Sequence, residues 1–66
     1  MTPDLTEMPT DDLWVGLDET NADIALCEEA ITNGVLVYFG HSVQYRLEAN
    51  LDIASAIRAE LKRRGE

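Results

Sequence analysis

The sequence predicts an α+β domain in which two helices pack on a two-stranded antiparallel hairpin, in the order α-β-β-α. Three observations point there. Apolar residues recur at helical spacing between Leu13 and Ile31. Residues 35–46 then change to β-branched and aromatic types split by Gly40. Helical spacing returns after residue 48 and runs to the basic stretch Lys62-Arg63-Arg64.

Residues 1–10 carry Pro3 and Pro9 among polar spacers and read as a flexible N-terminal arm. Residues 11–66 form the single domain. Thr10 suits an N-cap, and Asp11 and Asp12 suit the positive end of the helix dipole. Leu13, Leu17, Thr20, Ile24, Cys27 and Ile31 follow at alternating four- and three-residue steps, which places them on one helix face. Asn33-Gly34 supplies the stop, with Gly34 free to take a left-handed conformation.

The hairpin is expected to turn at Gly40-His41, between strands 35–39 and 42–46. That register groups Leu36, Tyr38, Val43 and Tyr45. A three-residue loop instead groups Val35, Val37, Phe39, Val43, Tyr45 and Leu47, and both registers remain open. The closing helix begins near Glu48 or Asn50, with Ile53, Ala54, Ile57 and Leu61 as its apolar stripe. Gly65 ends it.

At 66 residues the chain makes one domain. A chain this short buries only roughly 60% of the surface its unfolded form exposes. Such domains are usually reinforced by a disulfide, a metal or a partner subunit. Cys27 is the single cysteine and His41 the single histidine, so neither an internal disulfide nor a zinc site can close. Partner subunits remain. The N-terminus lacks the basic and apolar regions of a signal peptide, and the apolar run 35–39 is too short to span a bilayer. The expectation is a soluble protein with no cofactor and no membrane association.

The net charge of −8 is unevenly placed. Nine of the 13 acids lie in residues 1–33, which hold no Lys or Arg. The second half holds all five basic residues. The acidic half argues against ordinary binding to nucleic-acid phosphates, which needs positive charge to release counterions. Adjacent acids such as Glu28-Glu29 point about 100° apart on a helix and do not converge as a catalytic pair. His41 has no neighbouring nucleophile or orienting partner, and Cys27 lies on the apolar stripe. These features predict a binding or assembly part, not an enzyme.

Two features predict interfaces. Val15, Ala22, Leu26 and Ala30 fall roughly opposite the Leu13–Ile31 stripe, where a monomeric surface helix is normally polar. Val35, Val37 and Phe39 give the outer hairpin face the same apolar character, with His41 at its tip. Scattered exposed apolar residues are normal on any protein. The small size of this chain favours assembly over that bland reading.

The first helix ends in Glu28-Glu29-Ala30-Ile31-Thr32-Asn33-Gly34 and runs straight into the hairpin. The hairpin carries Gly40-His41-Ser42-Val43-Gln44-Tyr45-Arg46, and the closing helix ends in Ala59-Glu60-Leu61-Lys62. Over residues 11–64 this pattern resembles the small head–tail joining (head-completion) proteins of tailed bacteriophages, of the W type found in lambda-like phages. The resemblance implies a structural virion component, made in the host cytoplasm, that forms a homo-oligomeric ring at the portal vertex. Such a neck protein helps retain packaged DNA and offers a docking surface to the next neck or tail protein, without catalysis. In such a ring Asp18, Glu19 and Asp23 are expected to face the channel and keep DNA from sticking. Arg58, Lys62, Arg63 and Arg64 are expected to meet acidic neighbours. The family member used for comparison has a basic hairpin tip and a longer, mobile C-terminal tail. Here the tip is Phe39-Gly40-His41-Ser42 and only Gly65-Glu66 follow the helix, which shifts the docking role toward residues 1–10. The alternative is an acidic DNA-mimic, anti-defence or antitoxin-like protein that inhibits a basic protein partner.

Overall fold

The computed structural model describes residues 4–38 and 40–66. A 3-10 turn, Leu5–Glu7, leads into helix α1, Thr10–Thr32. Strands β1, Val37–Tyr38, and β2, His41–Ser42, form a minimal antiparallel hairpin, and helix α2 follows at Val43–Arg63. The chain order is helix, hairpin, helix, but the predicted α+β class is overturned. The two helices pack on each other, not on the hairpin, and the strand residues are exposed. Two residues per strand present too little apolar surface to organise a core. The molecule is an antiparallel helical pair measuring 39 × 23 × 14 Å.

The buried stripe of α1 is Leu13, Leu17, Ile24 and Cys27, with Thr20 and Ile31 half-buried. The Thr20 hydroxyl donates to the Gly16 carbonyl at 2.7 Å, so this weak helix former is satisfied within the helix. Thr10 is the first helical residue and not the cap; Pro9 takes that position without a side-chain bond. At the other end Gly34 has φ +80°. Its N–H donates to Ile31 O and the Val35 N–H donates to Ala30 O, the paired bonds of a Schellman stop. Gly65, at φ +84°, ends α2 the same way.

The larger corrections concern α2. It begins at Val43, so residues 43–46, expected to be strand, form its first turn. The Ser42 hydroxyl caps it by accepting from the Tyr45 N–H at 3.2 Å. Gln44 reaches Glu48 one turn on, at 3.3 Å. Ile53, placed in the apolar stripe by the sequence, is exposed. Ala54, Ile57 and Leu61 of that stripe are buried, and Val43 joins them. The hairpin register also differs from both expected versions. Val37 pairs with Ser42 and Tyr38 with His41. Gly40 has φ +77°, which suits glycine at that position.

The main core cluster joins Leu13, Leu17 and Ile24 to Ala54, Ile57 and Leu61. Leu5, Met8 and Leu47 cover it from the sides. The described part of the expected arm is therefore packed. Asp4 caps the 3-10 turn by accepting from the Thr6 N–H at 3.0 Å, and the same turn brings Leu5 onto the core. No helix among the described residues is long and apolar enough to cross a membrane.

Candidate protein-interaction surface

The two ends of the helical pair treat their charged groups differently. At the end holding the chain termini, Glu60 is a buried carboxylate, its side chain only 6% exposed. It accepts from Arg63 Nε at 2.8 Å and from Arg64 Nε at 2.7 Å. These hydrogen bonds, from Arg63 first and then Arg64, hold its carboxyl down to about 2. Arg64 goes further. Its Nη1 donates to the Thr10 hydroxyl at 3.0 Å and its Nη2 to the Leu5 carbonyl at 2.9 Å. One guanidinium thus ties the 3-10 turn, the start of α1 and the end of α2 together, using the several fixed donors that Arg provides. Arg63 and Arg64, expected at an interface, are committed within the chain.

The hairpin end is built otherwise. Tyr38, His41 and Ser42 overhang the last turns of α1, and Val43 and Cys27 lie buried beneath them. Between them runs an open groove of ≈ 270 Å³. Leu26 and Ala30 form its α1 wall. Leu26 is 63% exposed although it faces this depression. Arg46 crosses the rim to Asp23 at 3.1 Å, linking the first turn of α2 to α1. Glu29 stands on the same rim. At the same end, outside the groove lining, Leu36 and Tyr45 are 72% and 75% exposed and Val37 is exposed, as is Tyr38 within the lining. The most exposed of the large apolar side chains lie at this end, while Trp14, Val15, Leu51 and Ile53 are exposed elsewhere along the helices.

The sequence-predicted residues divide accordingly. Leu26, Ala30 and His41 come together at the groove. Val15 and Ala22 are exposed on α1 but do not line it. Val37 is exposed on the hairpin, and Phe39 lies outside the described residues. Asp18 and Glu19 are exposed. Asp23, grouped with them from the sequence, is paired with Arg46 and contributes little free negative charge. Arg58 donates to the neutral Asn21 side chain at 3.2 Å, and Lys62 is exposed.

Residues that the sequence reading passed over are Arg46, Tyr45 and Leu36. Arg46 and Tyr45 were placed on a strand; their helical register sets one beside Asp23 and the other in solvent. The signal was present, since Val43, Leu47, Asn50, Ala54, Ile57 and Leu61 step by four and three back to Val43. No protein-family model matches the chain, and no curated protein or solved structure matches it either.

Proposed function

We propose that this protein is a structural subunit that works by assembly, and specifically a ring-forming neck component at the head–tail junction of a tailed phage particle. It would sit against the portal protein, help retain packaged DNA and offer a docking surface to the next neck or tail protein. The observation that carries the assembly reading is that the most exposed of the large apolar side chains lie at the hairpin end, around the Leu26–Tyr38 groove. A single layer of two helices buries one face of each helix, and domains ordinarily add a second layer. The neck reading adds the resemblance of residues 11–64 to head-completion proteins. Asp18 and Glu19, exposed and without ion pairs among the described residues, are the acids available to face a DNA channel.

Mass analysis of purified particles tests the location, because a neck ring is a stoichiometric component. Leu26→Glu tests the surface. The variant should fold, since Leu26 is exposed, and should be missing from particles. Normal incorporation of the variant would remove the hairpin end as the assembly surface. Absence of the wild-type chain from particles would remove the neck.

A further inference from the structure

A ring needs two surfaces that fit each other, and the described residues form two apolar depressions of different character. The first is the hairpin-end groove. Asp23 and Glu29 line it, Arg46 already answers Asp23, and Glu28 is exposed next to Glu29. The last turn of α1 holds no basic residue, so the negative end of its dipole adds to these acids without compensation. This rim asks for cations around an apolar insert.

The second depression lies at the terminal end. Trp14 and Leu17 of α1 meet Leu61 of α2 there, flanked by Arg58 and Lys62, with Glu66 at its margin. Trp14 is 43% exposed. Of the five basic residues, Arg46 pairs with Asp23, and Arg63 and Arg64 pair with Glu60. Arg58 and Lys62 have no acidic partner among the described residues. Both cations without an ion pair among the described residues therefore stand beside the exposed indole, with Glu66 as the one acid in the lining.

Their positions set the symmetry of any contact between them. At about 100° per residue, Trp14 lies on one side of the buried stripe of α1, and Asp23 and Ala30 lie on the other. Trp14 and Ala30 are also about 24 Å apart along the helix at 1.5 Å per residue. Patches on opposite flanks cannot both be satisfied in one two-fold pair. They are satisfied in succession, head to tail, which is the contact that generates rings.

We propose that the hairpin-end groove of one copy receives the Trp14–Arg58–Lys62 patch of a second copy of this chain. The contact itself stands on charge and placement; its closure into a ring rests on the neck reading. Two variants separate the surfaces. Leu26→Glu disables the groove and leaves the patch, while Arg58→Glu with Lys62→Glu disables the patch and leaves the groove. All three positions are exposed, so circular dichroism should show both variants folded.

By sedimentation velocity at low salt, the wild-type chain should associate and each variant alone should be monomeric. An equimolar mixture should give a 1:1 heterodimer and nothing larger. A wild-type chain that stays monomeric up to about 1 mM overturns the contact. So does a variant that associates like the wild type, or a mixture that remains monomeric. The presence of the chain in purified particles is read separately, so the contact and the neck can fail independently.

Discussion

The terminal end and the hairpin end of this helical pair are built from the same two helices and reach opposite outcomes. At the terminal end, Leu13 and Leu17 meet Ile57 and Leu61, Leu5 and Met8 close the side, and Arg64 fastens the cover. At the hairpin end, Cys27 and Val43 are buried but stand outside the main core cluster, and the residues around them are exposed aromatic and aliphatic side chains. The terminal end fastens its core internally through Glu60 and Arg64, and leaves Trp14, Arg58 and Lys62 at its surface. The hairpin end carries the rim pair Arg46–Asp23 and leaves Leu26, Leu36 and Tyr45 exposed. The difference teaches that the tightest packing and the only multi-element clip among the described residues lie at one end of the long axis, which leaves the hairpin end the less covered of the two.

Breaking the terminal end should have the largest effect. Leu13 is fully buried, and Leu13→Ala should cost about 2–5 kcal/mol, enough to unfold much of a domain this small. Urea denaturation of the variant against wild type measures it. Next is Arg64→Met, which keeps the stem and removes the donors to Leu5, Thr10 and Glu60. The expected loss is about 1.5–3 kcal/mol. Hydrogen exchange should quicken in residues 5–13 and stay unchanged in the hairpin. Uniform change across the chain would mean that the clip is not local.

A pH scan sharpens the same contrast. The Glu60 carboxyl is depressed from the usual 4.5 to about 2 in the folded chain. The folded state therefore takes up this proton less readily than the unfolded state. Stability from this group is fully present above about 4.5 and is lost as pH falls toward about 2. Glu60→Gln should be less stable at neutral pH and should flatten that part of the acid limb in thermal melts. An unchanged limb would show that other carboxylates carry it. The smallest effect belongs to the hairpin end. Tyr45→Ser should change stability by no more than about 0.5 kcal/mol, because the ring is exposed. A loss comparable to that of Arg64→Met would erase the distinction between the ends.

Much of α1 was legible from residue order. The Leu13–Cys27 spacing, the Asn33-Gly34 stop and the change of character after residue 34 all correspond to observed features. The start of α2 was not. Val43, Tyr45 and Leu47 alternate as a strand does, and Val43, Leu47 and Asn50 also step as a helix does. Over so few residues the two periods coincide, and the deciding feature is a cap, Ser42, whose bond to the Tyr45 N–H exists only in the helical alternative. The interaction surface was half legible for a related reason. A helical wheel gives the exposed side of α1, but Val15 and Leu26 are alike on it. Only the hairpin overhead separates the residue that lines a groove from the one that does not.

The sequence by itself determined two helices, a glycine-marked turn between them, and an acidic first half with a basic last turn at the other end of the chain. These are local properties, set by spacing, caps and charge. What packs on what was decided only by the tertiary structure. The long helices bury more apolar surface against each other than a two-residue ladder can offer, so the hairpin became a rim and not a floor. The same packing brought Arg64 onto Thr10 and Leu5, while Arg63 pairs locally with Glu60 and stays exposed, and Arg58 and Lys62 are left beside Trp14 without an ion pair among the described residues. No count of charges along the chain distinguishes those four cations; their positions around the folded helix do.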